Sequence, residues 1–142
     1  MKRHTLISCT SDKENHCYTV TIGTDIGAFT GSVKCQPADY KYESEYFGLE
    51  LAELKAEIEY ARAKRKNYEA QLKALTEFWR DMAQTRTYTG YEFWVKKMRE
   101  KVDKVEAQMR YWRERVAYLK ETYWHHIIAA DYSHKIREKM GV

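Results

Sequence analysis

Apolar side chains recur every seven residues through most of the chain. The first run is Phe47, Leu51, Leu54, Ile58, Ala61, then Arg65, then Tyr68, Leu72, Leu75, Trp79 and Met82, in alternating steps of four and three. The second is Tyr91, Val95, Met98, Val102, Val105, Met109, Trp112, Val116, Leu119 and Tyr123, with His126 and Ala130 next in register. A seven-residue spacing keeps one seam facing a partner helix, so the pattern predicts left-handed coiled-coil packing. Helices are expected from about Tyr46 to Gln84 and from Tyr91 to Lys139. Thr85 to Gly90 is the one plausible connection, short enough to force antiparallel neighbours. Folding back near position 88 sets Leu75 opposite Lys101 and Val102, Ile58 opposite Leu119, and Arg65 near Tyr111 and Trp112. The second helix then overhangs, and Tyr132, Ile136 and Met140 need the sheet or another chain to cover them.

The N-terminal quarter changes period. Tyr18, Val20 and Ile22 alternate with Thr19 and Thr21, the signature of a half-buried strand. A turn at Gly23, Thr24 and Asp25 leads into Ile26 to Cys35, and His4 to Cys9 is a third strand candidate, joined through the polar stretch Ser11 to His16. Three short strands are not stable alone, so the sheet must pack on helix or on another subunit. Gly31, beyond Phe29, marks a bend or the close approach of another backbone or a ligand. Pro37 ends the last strand, and Tyr40, Tyr42, Tyr46 and Phe47 are placed to staple the helix entry to the sheet, or to stack on a ligand. The fold class is therefore α+β: a small antiparallel sheet over residues 1–45, then a long antiparallel two-helix coiled-coil hairpin over 46–142, the two forming one structural unit.

Composition narrows the function classes. Twenty-five basic and 21 acidic residues leave a net charge of +4, a bias toward anions too mild to argue for nucleic acid. No stretch is apolar enough to span a bilayer, and MKRHTLISCTSDKENH has no sustained apolar region, so a cytosolic protein without a membrane partner is expected. Four tryptophans and twelve tyrosines are a heavy aromatic load for a helix pair that buries one seam per helix. A homo-oligomer, a dimer or larger, would cover it. Cys9, Cys17 and Cys35 are odd in number and lack CxxC spacing, which argues against a disulfide framework and for small buried thiols. With His4 and His16 they could assemble a zinc site, but the spacing matches no finger pattern, and no metal is expected.

Chemistry-bearing motifs are sparse. There is no Gly-rich phosphate loop, HExxH helix or GxSxG elbow, so neither catalysis nor a cofactor is expected. Basic and aromatic residues interleave in two places. Arg62, Lys64, Arg65 and Lys66 face Arg110, Tyr111, Trp112, Arg113 and Arg115 at mid-hairpin, where a solvated face with a snorkelling Arg65 is the plainer reading. Tyr132, His134, Lys135 and Arg137 lie near the C-terminus, where folding back brings them toward Phe29, Gly31 and Tyr46. Guanidinium groups hold phosphate and flat rings stack on bases.

The segment GAFTGSVKCQPADYKYESEYFGLELAELKAEI, followed by two long helices, resembles phage-encoded anti-Thoeris sponge proteins, through Phe29, Thr30, Gly31, Cys35, Pro37, Asp39, Gly48 and Ala52. These proteins sequester cyclic ADP-ribose isomers and, in some members, cyclic oligonucleotides. The resemblance implies a non-enzymatic oligomer in the host bacterial cytosol that holds a cyclic nucleotide immune signal intact. The candidate ligand contacts are Phe29, Gly31, Tyr46, Tyr132, Lys135, Arg137, Arg65, Trp112 and Arg113. The competing expectation is a coiled-coil protein that inhibits a host defence protein or nuclease by direct contact.

Overall fold

The computed structural model describes residues 4–83 and 91–141. In chain order they form strands β1 (Thr5–Asp12), β2 (Cys17–Thr24) and β3 (Gly27–Lys34), a 3-10 helix (Pro37–Tyr42), and helices α1 (Glu45–Ala83) and α2 (Tyr91–Met140). The fold is α+β, a three-stranded antiparallel sheet followed by two long helices. The expected connection at Thr85–Gly90 lies outside the described residues. No helix among them is long and apolar enough to cross a membrane.

Two compact units emerge. The sheet, the 3-10 helix, α1 through Tyr60 and α2 from Val116 make the first, and Ala61–Arg115 the second.

In the first unit, β2 lies between β1 and β3 and points Tyr18, Val20 and Ile22 into the core, each 3% exposed or less. Strand periodicity sends Thr19 and Thr21 to the other face, where they hydrogen-bond across the ladder to Ser32 and Thr30. The sheet approaches α1 closely because both sides are small. A Cβ on Gly31 would strike the Ala52 carbonyl oxygen and come within 2.8 Å of Lys55 Cβ. Ala52 and Ala56 are fully buried. Of the readings open for Gly31 in the sequence, the structure selects close approach of another backbone.

Two turns order the strands. Asp12 accepts hydrogen bonds from the backbone and side-chain nitrogens of Asn15, and His16 closes that hairpin at a left-handed φ of 53°. Thr24 donates to the Gly27 carbonyl at 2.6 Å, and Gly27 takes φ 126°, a conformation that favours glycine. Tyr60 on α1 donates to Asp25 in this turn at 2.6 Å. β1 departs from expectation. Its burial pattern is almost wholly exposed, and Cys9 stands in solvent while Cys17 and Cys35 are half-buried. The three thiols are free, and none is buried.

Within this unit α1 and α2 run antiparallel, with early residues of one against late residues of the other. Glu50 meets His126 at 3.5 Å, and the Lys55 ammonium sits 5.7 Å from the Tyr123 ring centre. Ile58 and Leu119, expected to face each other, are both buried. Tyr132 and Met140 are not covered by the sheet and remain about two thirds exposed or more.

The second unit is helix on helix, again antiparallel. Trp94 packs on Phe78 and Trp79 at centroid distances of 6.0 and 5.8 Å. The buried seam residues here are Ala61, Met98 and Trp112. Arg65 keeps its seam position half-buried, with Nε 3.6 Å from Glu69 one turn on.

Candidate functional site

The first unit encloses a cavity of about 460 Å³. Five stretches wall it: Tyr18 of β2, the end of β3, the 3-10 helix and its flanks, the first turns of α1, and α2 between Tyr123 and His134. Each wall has a local cause. Pro37 starts the 3-10 helix, where its fixed φ and missing N–H fit the first turn. That short helix aims its tyrosines in opposite directions. Tyr40 stacks on His16 at 3.6 Å and Tyr42 on His134 at 4.1 Å, so one ring fastens the segment to the hairpin and the other to α2. Tyr42 and Lys41 both reach Glu138, at 3.4 and 3.2 Å. The lysine's proton is held more tightly and the glutamate's less tightly, each through the other.

Glu43 organises the floor. Its Oε1 lies 2.7 Å from His16 Nδ1, and its charge acts on the Tyr18 hydroxyl. Burial, reinforced by this carboxylate, pushes the Tyr18 phenol up to about 12 and raises the Cys35 thiol. A thiol held protonated is a poor nucleophile. For Tyr18, a folded pKa above the ordinary 10.0 means stability present below pH 10 and lost as pH climbs to about 12. Tyr18→Phe is therefore expected to show a shallower fall in melting temperature between pH 10 and 12 than the parent. Parallel melting curves by circular dichroism would sink this assignment.

The mouth of the cavity mixes flat rings and charge. Tyr42, Phe47, Tyr123 and His134 contribute rings, Lys34 and Lys55 ammonium groups, and Asp39 and Asp131 carboxylates. His134 Nδ1 is buried without a hydrogen bond, its nearest charged neighbour being Asp39 at 3.9 Å. An unmet ring nitrogen on a cavity wall is a position for a ligand's polar group, because leaving it dry and unpaired costs free energy.

No family model, curated protein or solved structure matches this chain. What the site does must be read from its own chemistry.

None of the sequence-derived ligand residues lines the cavity. Phe29 faces inward on β3 and packs against Tyr60 at 5.7 Å, and Gly31 is filled by the α1 backbone. Tyr46 and Tyr132 are 79% and 67% exposed, with Lys135 and Arg137 also in solvent. In the second unit Trp112 is buried, with the Lys64 ammonium 5.6 Å over its ring. A ring covered in this way serves packing. Arg113 beside it is exposed. The C-terminal candidates thus occupy the right stretch of α2 but other faces of it. The α2 residues that reach the cavity are Tyr123, Ile127, Ala130, Asp131 and His134; Tyr123 and Ala130 continue the seam, and the other three stand beside it. The seam positions Tyr123 and Ala130 were the signal available in the sequence.

Proposed function

We propose that the first unit is a binding module that captures a nucleotide-type small molecule and releases it chemically unchanged. The observation that carries this reading is the cavity, about 460 Å³, within the roughly 300 to 1,000 Å³ of small-molecule sites. Its rings suit a base, Lys34 and Lys55 suit phosphate, and Asp39 and Asp131 suit hydroxyl or exocyclic amine donors. The raised Cys35 thiol argues for holding rather than reacting. With the resemblance noted in the sequence, the ligand we favour is a cyclic ADP-ribose isomer or related cyclic nucleotide, sequestered in a bacterial cytosol as a phage countermeasure to immune signalling.

A thermal-shift panel tests this. Saturating cyclic ADP-ribose isomers, cyclic dinucleotides and cyclic trinucleotides are screened, because a ligand that binds only the folded state raises the melting temperature. At least one is expected to do so, to be recovered intact, and to bind about tenfold more weakly to Lys55→Ala. A flat response across the panel would leave the second reading ahead.

That reading is direct protein contact. It is favoured by an exposed stripe on α2, Trp124, Ile128, Tyr132, Ile136 and Met140, between 39% and 71% exposed and spaced four residues apart. Such a patch suits self-association as well as a foreign partner, and light scattering on the same samples reads the assembly state.

A further inference from the structure

We propose that His4, Glu53 and Glu57 form a binding site for a zinc-type divalent cation. Glu53 and Glu57 are one turn apart on α1, so both carboxylates rise from the same face. His4, from the chain just before β1, inserts between them across 49 positions of sequence. Its Nε2 lies 3.1 Å from Glu53 Oε1 and 3.3 Å from Glu57 Oε1. The three side chains are 6%, 26% and 15% exposed, so the group is largely withdrawn from solvent.

The geometry says more than an ion pair does. Two carboxylate oxygens converge on one imidazole nitrogen, as ligands do around a shared ion. Three donor atoms within 4.8 Å of one another suit a common central charge. Bonds of roughly 2.0 to 2.1 Å to a tetrahedral zinc ion place ligand atoms about 3.3 Å apart, close to both observed separations. One nitrogen with two oxygens favours a borderline-soft cation over magnesium or calcium, which take oxygen sets of six or more. The fourth position is left to water. The metal would clip the start of β1, whose residues are almost wholly exposed, onto α1. The donors differ from the thiol set that the sequence suggested, because the cysteines do not gather with His4.

The experiment uses the full chain without an affinity tag, stripped with chelator and titrated with zinc chloride at pH 7, with magnesium chloride in parallel. Expected are one zinc per chain, a raised melting temperature, no response to magnesium, and affinity about a hundredfold weaker in Glu57→Gln and His4→Gln, since even outer-sphere changes cost about ten- to hundredfold. A Cys9→Ser, Cys17→Ser, Cys35→Ser variant should bind zinc like the parent. Absence of zinc binding, unchanged affinity in Glu57→Gln, an equal response to magnesium, or loss of binding in the cysteine variant would each overturn the site. Glu57→Gln keeps side-chain size and a hydrogen-bonding oxygen, so the result stands even where His4→Gln fails to fold.

Discussion

Gly31→Ala lowers the free energy of unfolding by about 3 kcal/mol, the upper end of what overpacking costs. The usual objection to a glycine argument, that the residue merely needs an unusual backbone angle, does not apply: Gly31 sits in a regular ladder opposite Val20. What excludes a methyl is the opposing helix, whose Ala52 carbonyl and Ala56 amide occupy its place. Backbone cannot swing aside as a side chain can, so β3 and α1 would have to separate and loosen the buried Ala52 and Ala56. Gly48→Ala is the internal comparison. There the added methyl meets the Tyr18 ring, a side chain that borders the cavity rather than backbone, so the loss is smaller. Urea unfolding of the two variants reads the order directly, and a Gly31→Ala protein within about 1 kcal/mol of the parent would show that the sheet and helix are less tightly apposed.

Trp112→Ala is expected to cost about 3 to 5 kcal/mol, the range for emptying a buried tryptophan site. The indole is 4% exposed, holds the Lys64 ammonium over one face, and meets Tyr111 edge-on at 5.0 Å, so truncation loses area, a cation–π contact and an aromatic pair together. Trp124, on the same helix and 58% exposed, supplies the contrast. Trp124→Ala should stay within about 0.5 kcal/mol. Similar losses in the two variants would mean that Trp124 is covered in solution by another chain, and thus would favour assembly through the α2 stripe.

Most of the architecture was legible because periodicity is a strong signal. The seven-residue repeat located the start of α1 and the end of α2 to within a residue, and the Tyr18, Val20, Ile22 alternation located the central strand. The site was less legible. Basic and aromatic residues are conspicuous in a sequence, but Tyr132, Lys135, Arg137 and Arg113 are solvated side chains of α2, while Trp112 and Gly31 are taken up by packing. Part of the cavity wall is made from the seam residues Phe47, Leu51, Tyr123 and Ala130, which resemble packing until the opposing surface is known. Two pieces had no sequence signal at all. Glu43 as the shared partner of His16, Tyr18 and Cys35 depends on where the 3-10 helix lands, and His4 between Glu53 and Glu57 depends on how the chain enters β1.

The bond from Tyr42 to Glu138 spans 96 positions, and the stacked pair Tyr42 and His134 is nearly as distant in sequence. During synthesis, the sheet and the first turns of α1 leave the ribosome long before the α2 wall of the cavity. Contacts of such separation form late, after the entropy of closing a long loop has been met. Binding competence therefore arrives with the final stretch of α2: a nascent or truncated chain ending before Tyr123 can hold a folded sheet and still have nothing to close over a ligand.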